Sequence, residues 1–249
     1  MAEIQPSLIA AVGSWWRRHR ETAGTARSSL RLIEIMWEFL RDSFPDRRRQ
    51  RYGDIDYDWE CRVDTTSATL SWRTRLMGLL SSPYQPIPPE QFREMMAALS
   101  IDFSQFTFID IGSGKGRALF LASEYPFKRI IGIELLPELH WIAQENVAKF
   151  TERSQNRHIE LICGDATSFI FPSEPTVLFL FNPLPQQDLV RVIKNLGSSL
   201  DRNARPLYVA YANPIHQRTI AACPFLRTLA NSSQYSLFYG LGTRESREG

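Results

Sequence analysis

The rhythm of hydrophobic and polar positions changes near residue 105. Beyond it, short unbroken apolar runs alternate with longer stretches of helical period. Residues 108 to 111, 129 to 134, 159 to 163, 176 to 181 and 206 to 211 read as strands, and residues 116 to 124, 137 to 150 and 186 to 196 as helices. Strands that are apolar along their whole length need cover on both faces. The pattern therefore predicts an α/β fold, a doubly wound and mostly parallel sheet with helices on both sides.

Upstream the pattern is helical and less regular. Residues 28 to 42 place Leu30, Ile33, Trp37 and Leu40 at helical spacing, flanked by Leu32, Met36 and Phe39, which gives a face wide enough to bury. That face suits core packing or docking on the main domain. A helix lying on a partner or a membrane surface is the alternative, because residues 11 to 51 carry ten Arg against five acids. The run Arg47-Arg48-Arg49-Gln50-Arg51 is followed at once by Asp54, Asp56, Asp58 and Glu60 and reads as solvated. Pro83, Pro86, Pro88 and Pro89 stiffen a connection, after which Pro89 or Glu90 opens a helix through Phe92, Met95, Met96 and Leu99. The expected division is a helical extension with its connecting segment, residues 1 to 83, and an α/β domain, residues 84 to 249.

Composition narrows the class without naming a function. A formal charge of +2 over 249 residues gives no global reason to expect nucleic acid, and Lys supplies only four of the 29 basic residues. No stretch approaches the roughly 20 apolar residues that span a bilayer, so no membrane insertion is expected. Cys61, Cys163 and Cys223 are far apart and form no metal-ligand spacing, so neither a metal site nor a disulfide framework is expected. This fits a reducing, cytoplasmic setting.

Chemistry concentrates at residues 107 to 117, Thr-Phe-Ile-Asp-Ile-Gly-Ser-Gly-Lys-Gly-Arg. A strand, a glycine turn and a helix start bring bare backbone N–H groups toward a ligand. Two cofactors compete for such a loop. The dinucleotide fingerprint needs a glycine or alanine at position 117, where this chain has Arg117. The observed form, Asp110 followed by Gly112-x-Gly114-x-Gly116, resembles the first motif of the class I, seven-strand S-adenosylmethionine (SAM) dependent methyltransferases, and the likeness extends over roughly residues 85 to 240. It implies a cofactor site made of Asp110, Gly112, Ser113, Gly114 and Gly116, with Glu134 and Leu135 after the second strand, Asp165 and Ala166 after the third, and Asn182 after the fourth. In this likeness Glu134 takes the ribose hydroxyls and Asp165 the adenine amino group.

The acceptor side rests on Phe181-Asn182-Pro183-Leu184-Pro185, which follows the fourth strand. It resembles the Asn-Pro-Pro-aromatic motif of enzymes that methylate planar or amide nitrogens, although Leu184 and Pro185 leave out the stacking aromatic. Over residues 84 to 185 the chain is similar to the non-SET, seven-strand lysine methyltransferases. That similarity implies transfer to a nitrogen, with a protein lysine as first choice and a small molecule as second, and assigns catalytic roles to Asn182 and Tyr84. A protein that binds SAM without catalysis and works as an interaction subunit is the remaining alternative.

Overall fold

The structure, a computed structural model, describes residues 8–41, 55–66, 85–151 and 159–240. They fall into two compact units. One holds the described residues through Ile55 together with Thr66 and Gln85, and the other holds Asp56–Thr65 and the described residues from Pro86 onward. The segment 56 to 65, placed by the sequence reading in the extension, thus belongs to the second unit. The Arg47 to Arg51 run and Tyr84 lie outside the described residues.

In the first unit, helices α1 (Leu8–Ala23) and α2 (Thr25–Arg41) form a hairpin turned by Gly24, whose φ of +79° suits glycine. Trp15 and Ile35 are buried together, and the Trp15 ring stacks on His19 at 4.9 Å. His19 Nδ1 also lies 3.0 Å from the Ser28 hydroxyl, which donates to Gly24 O at 2.7 Å. The face expected to be buried points elsewhere, since Leu30, Ile33, Trp37 and Leu40 are all exposed. A helix carrying apolar residues on two sides buries the side that meets its partner, and here that side is set by Trp15 rather than by the longer stripe.

The second unit opens with α3 (Ile55–Cys61) and α4 (Pro89–Leu99), then alternates β1 (Thr107–Ile111), α5 (Arg117–Ala122), β2 (Arg129–Glu134), α6 (Pro137–Thr151), β3 (Ile159–Cys163), β4 (Thr176–Phe181), α7 (Gln186–Arg202), β5 (Leu207–Ala212), α8 (Gln217–Ala221), β6 (Leu226–Asn231) and β7 (Tyr235–Gly240). The strands form one seven-stranded sheet in the order β3-β2-β1-β4-β5-β7-β6, parallel except for β7, which runs antiparallel to both its neighbours. The doubly wound, mostly parallel seven-strand fold expected from the sequence is the fold found. Helix α7 runs past its predicted end at 196 because Gly197 does not break it. A Cβ there would sit 2.8 Å from the Phe225 ring, so the glycine serves close packing.

Side-chain alternation divides the core between the two sheet faces. Phe108, Ile130, Val177 and Phe179 join Phe92, Met95 and Met96 of α4 and the apolar side of α5 on one face. Ile109, Ile131, Leu178 and Leu180 meet Leu189, Val192, Ile193 and Leu196 of α7 on the other. By the same alternation Asp110, Gly132 and Glu134 share the first face, with Asp110 opposite Gly132 in the parallel register.

β1 sits where the strand order reverses, between β2 and β4, the place where open sheets of this kind present a crevice. There the loop after β1 touches the turn after β4 closely: a Cβ on Gly112, whose φ is +74°, would lie 2.3 Å from Pro183 Cβ. Gly112→Ala combines a left-handed alanine with that overlap. Urea unfolding is expected to show a loss of about 2 kcal/mol or more, against less than 1 kcal/mol for substitution at an exposed surface position.

Candidate functional site

The loop Gly112–Arg117 is shaped by what it bonds. Gly112, Gly114 and Gly116 all have positive φ. The N–H groups of Gly112 and Ser113 donate to Ile133 O at 2.8 and 3.0 Å, Gly116 N–H donates to Ser113 O at 2.9 Å, and Gly114 N–H donates to Glu134 Oε2 at 2.8 Å. The expectation of bare loop N–H groups facing a ligand is therefore not met at these four residues. Their donors are taken by the end of β2 and by the loop itself, as buried amides require. α5 adds little, since six residues make a weak dipole.

The loop's two cations are also committed. Lys115, fully buried, places Nζ 2.9 Å from Asp64 Oδ1. Burial pushes its ammonium pKa down, and Asp64 opposes the shift. Arg117, 2% exposed, donates from a terminal nitrogen to Asp58 Oδ1 at 2.9 Å and from Nε to Thr65 Oγ1 at 2.6 Å, with its guanidinium carbon 4.8 Å from the centre of the Tyr57 ring. Asp58 also accepts the Thr65 backbone N–H at 2.7 Å and the Thr65 hydroxyl. Asn146, buried on α6, closes the arrangement. Its amide nitrogen donates to Asp64 O at 2.7 Å and Lys115 O at 3.1 Å, and its oxygen accepts Asp64 N–H at 2.8 Å.

Two carboxylates lie under the loop. Asp110 is 3% exposed and Glu134 6% exposed. Burial first, and then the negative Glu134, hold the Asp110 carboxyl well above the usual carboxylate range. Burial raises Glu134 too, while the N–H groups of Leu136, at 2.8 Å, and Gly114 pull it back by bonding its charged form.

The other sequence-predicted residues line the same sheet edge. Leu135 is exposed beyond β2. Asp165 follows β3, one strand further out, where it is exposed and accepts Thr167 N–H at 2.8 Å, while Ala166 beside it is buried. Asn182 follows β4 on the opposite side of β1. Its Oδ1 accepts the Tyr211 hydroxyl at 2.7 Å, and its Nδ2 donates to Asn213 O. Asn182 and Asn213, each followed by proline, both have φ of +46°, a left-handed conformation that asparagine tolerates better than most residues. Sequence reasoning missed Asp58, Asp64, Thr65, Asn146 and Tyr211. Only Asn146 left a trace in the sequence, a polar residue on the buried stripe of α6 that also carries Leu139 and Ala143.

Among the described residues no group of His, Cys, Asp and Glu is arranged to hold a metal ion, and no helix is long and apolar enough to cross a membrane. A carboxyl whose folded pKa exceeds its unfolded one lowers stability as pH rises above the unfolded value, near 4. Asp110→Asn is therefore expected to raise the melting temperature of the ligand-free protein at pH 7.5 by about 2–4 °C, the equivalent of about 1 kcal/mol, and the gain should vanish toward pH 4. Thermal scans across that range check it.

No protein-family model and no curated protein sequence matches the chain. Solved structures similar to it include an RNA methyltransferase from Salinibacter ruber in complex with S-adenosyl-L-homocysteine, 21% identical with a TM-score of 0.44 over 64% of this chain and 95% of that one. A putative methyltransferase from Pseudomonas syringae is 12% identical, with a TM-score of 0.48 over 61% and 96%. The ribosomal protein L11 methylase of Lactobacillus delbrueckii is 15% identical, with a TM-score of 0.42 over 60% and 74%.

Proposed function

We propose that the chain is a SAM-dependent methyltransferase acting on a nitrogen acceptor, with a protein lysine as first choice. One observation carries the cofactor assignment: four loop amides and both loop cations are already bonded within the protein, and two buried carboxylates remain beneath the loop. A dinucleotide or a triphosphate needs free N–H donors and positive charge, and these groups are spent. Two buried acids, both pushed up by burial and Asp110 further by the negative Glu134, favour a ligand bringing positive charge, and SAM carries both an ammonium and a sulfonium.

In this reading Asp110 and Glu134 take the cationic and hydroxyl groups of the cofactor, and the glycine positions admit it by lacking Cβ atoms. Leu135, Asp165 and Ala166 flank its base, and Asn182 bounds its methyl-bearing end. The cofactor supplies an activated methyl group and is left as a neutral thioether, while the acceptor amine contributes its lone pair and afterwards sheds a proton to solvent. Asn182 orients that lone pair with its amide, which hydrogen bonds from the Tyr211 hydroxyl and to Asn213 O hold in place. Amides rather than a charged base suit an amine that arrives neutral, because such a nucleophile needs alignment more than proton abstraction.

Calorimetric titration is expected to give micromolar binding of SAM and of S-adenosylhomocysteine and no binding of NAD or ATP; the reverse selectivity removes the assignment. With labelled SAM and a cell lysate separated into protein, RNA and small molecules, label is expected in the protein fraction. Asn182→Ala should keep SAM affinity within about two-fold and lower transfer by about 10² or more. Unchanged transfer would take Asn182 out of the site.

A further inference from the structure

Two Asn-Pro turns lie side by side beyond the ends of adjacent strands. Asn182 follows Phe181 of β4 and Asn213 follows Ala212 of β5, and Phe181 and Ala212 are partners in the parallel register. A residue before proline is normally extended, yet both asparagines hold φ of +46°. Conformations of that kind persist where the surroundings fix them. Here the two turns help to fix each other, since Asn182 Nδ2 donates to Asn213 O. Pro183 of the first turn lies against Gly112, which sets the pair at the rim of the glycine loop.

Tyr211, one residue before the end of β5 and 1% exposed, brings its hydroxyl to the same place. His216 N–H donates to the phenol oxygen at 3.3 Å, so the phenol's own proton goes to Asn182 Oδ1 at 2.7 Å. Burial raises the phenol pKa and keeps that proton in place. A reversed Asn182 amide would leave the buried hydroxyl proton without an acceptor. It would also set Oδ1 against the Asn213 carbonyl, two acceptors in contact.

We infer that Tyr211 is a positioning residue for methyl transfer: its hydroxyl holds the Asn182 amide in the orientation that aligns the acceptor nitrogen. The inference rests on the reading of Asn182 given above. Because Tyr211 acts through Asn182, its effect falls on the rate of transfer rather than on cofactor affinity, and it disappears once the Asn182 amide is gone. A hydroxyl that only stabilised the fold would show neither property.

Tyr211→Phe removes the hydroxyl and leaves the ring, so the core keeps its volume. The two turns also stay joined, because Gln186 Nε2 at the start of α7 donates to Thr219 Oγ1 of α8 at 3.1 Å. Rates are measured with labelled SAM at varied concentration and the protein fraction of a cell lysate, or the RNA or small-molecule fraction where the wild type labels that one. Tyr211→Phe is expected to lower the maximal rate about ten-fold, while the apparent KM for SAM and the calorimetric Kd stay within about two-fold. In the Asn182→Ala background the same change is expected to lower the residual rate by less than about two-fold. An unchanged maximal rate in Tyr211→Phe, a parallel loss of SAM affinity, or losses that multiply in the double variant overturn the inference. A wild type that labels nothing, or an Asn182→Ala variant as fast as wild type, refutes the reading beneath the inference and removes both. A slow Asn182→Ala beside a fast Tyr211→Phe refutes the inference alone.

Discussion

Two acids buried side by side are the constraint to which the rest of the site answers. Asp110 and Glu134 occupy one face of adjacent parallel strands, nearly out of water; burial makes both harder to ionise, and the negative Glu134 makes it harder still for Asp110. Such a pair is costly in an empty protein. Glu134 recovers part of that cost by accepting the N–H groups of Gly114 and Leu136, which also fixes the loop's path over the sheet. The fold thus couples loop shape to the charge state of the strand ends, and a positively charged ligand relieves what the polypeptide alone cannot.

That coupling also explains the loop's spacing. The glycines are not there to expose amides, since those amides turn back to Ile133 O, Ser113 O and Glu134. They allow tight left-handed turns and let Pro183 approach Gly112. The residues between and after them, Lys115 and Arg117, point toward α3 and the chain following it rather than toward a ligand. A glycine-rich turn of similar appearance in a phosphate-binding protein would use its amides and its lysine in the opposite sense.

Much of this was legible in the sequence because parallel strands buried on both faces leave an unmistakable apolar run. β2, β3 and β4 begin and end where the hydrophobic pattern places them, and the acids at the ends of β1, β2 and β3 stand where a doubly wound sheet puts its crevice. β6 was not legible: after the buried Leu226 its positions are exposed or half-buried, with a register shift between Thr228 and Ala230, so it leaves no apolar run or alternation in the sequence. Nor were the partners of Lys115 and Arg117. Asp58 read only as one of four acids following a solvated basic run, and Asp64 was not singled out, because a one-dimensional pattern carries no information about which of many acids meets a cation 51 or 59 residues away. The stripe of α2, read as core packing, docking on the main domain or a partner surface, is exposed for a related reason, as amphipathicity says that a face can be covered without saying by what.

The position of β7 has a consequence for how the sheet is assembled during synthesis. It is the last strand among the described residues, yet it lies inside the sheet, paired with β5 on one edge and β6 on the other. Gln234, immediately before it, accepts from the side chain of Gln91 across 143 residues of sequence. Until β7 emerges from the ribosome, β5 keeps an open hydrogen-bonding edge and β6 has no partner in the sheet. Contacts of such long range slow folding, and the half-built sheet carries a template edge for other strands. The sheet is closed by its last-made strand, so its vulnerability to aggregation persists until β7 has been synthesised.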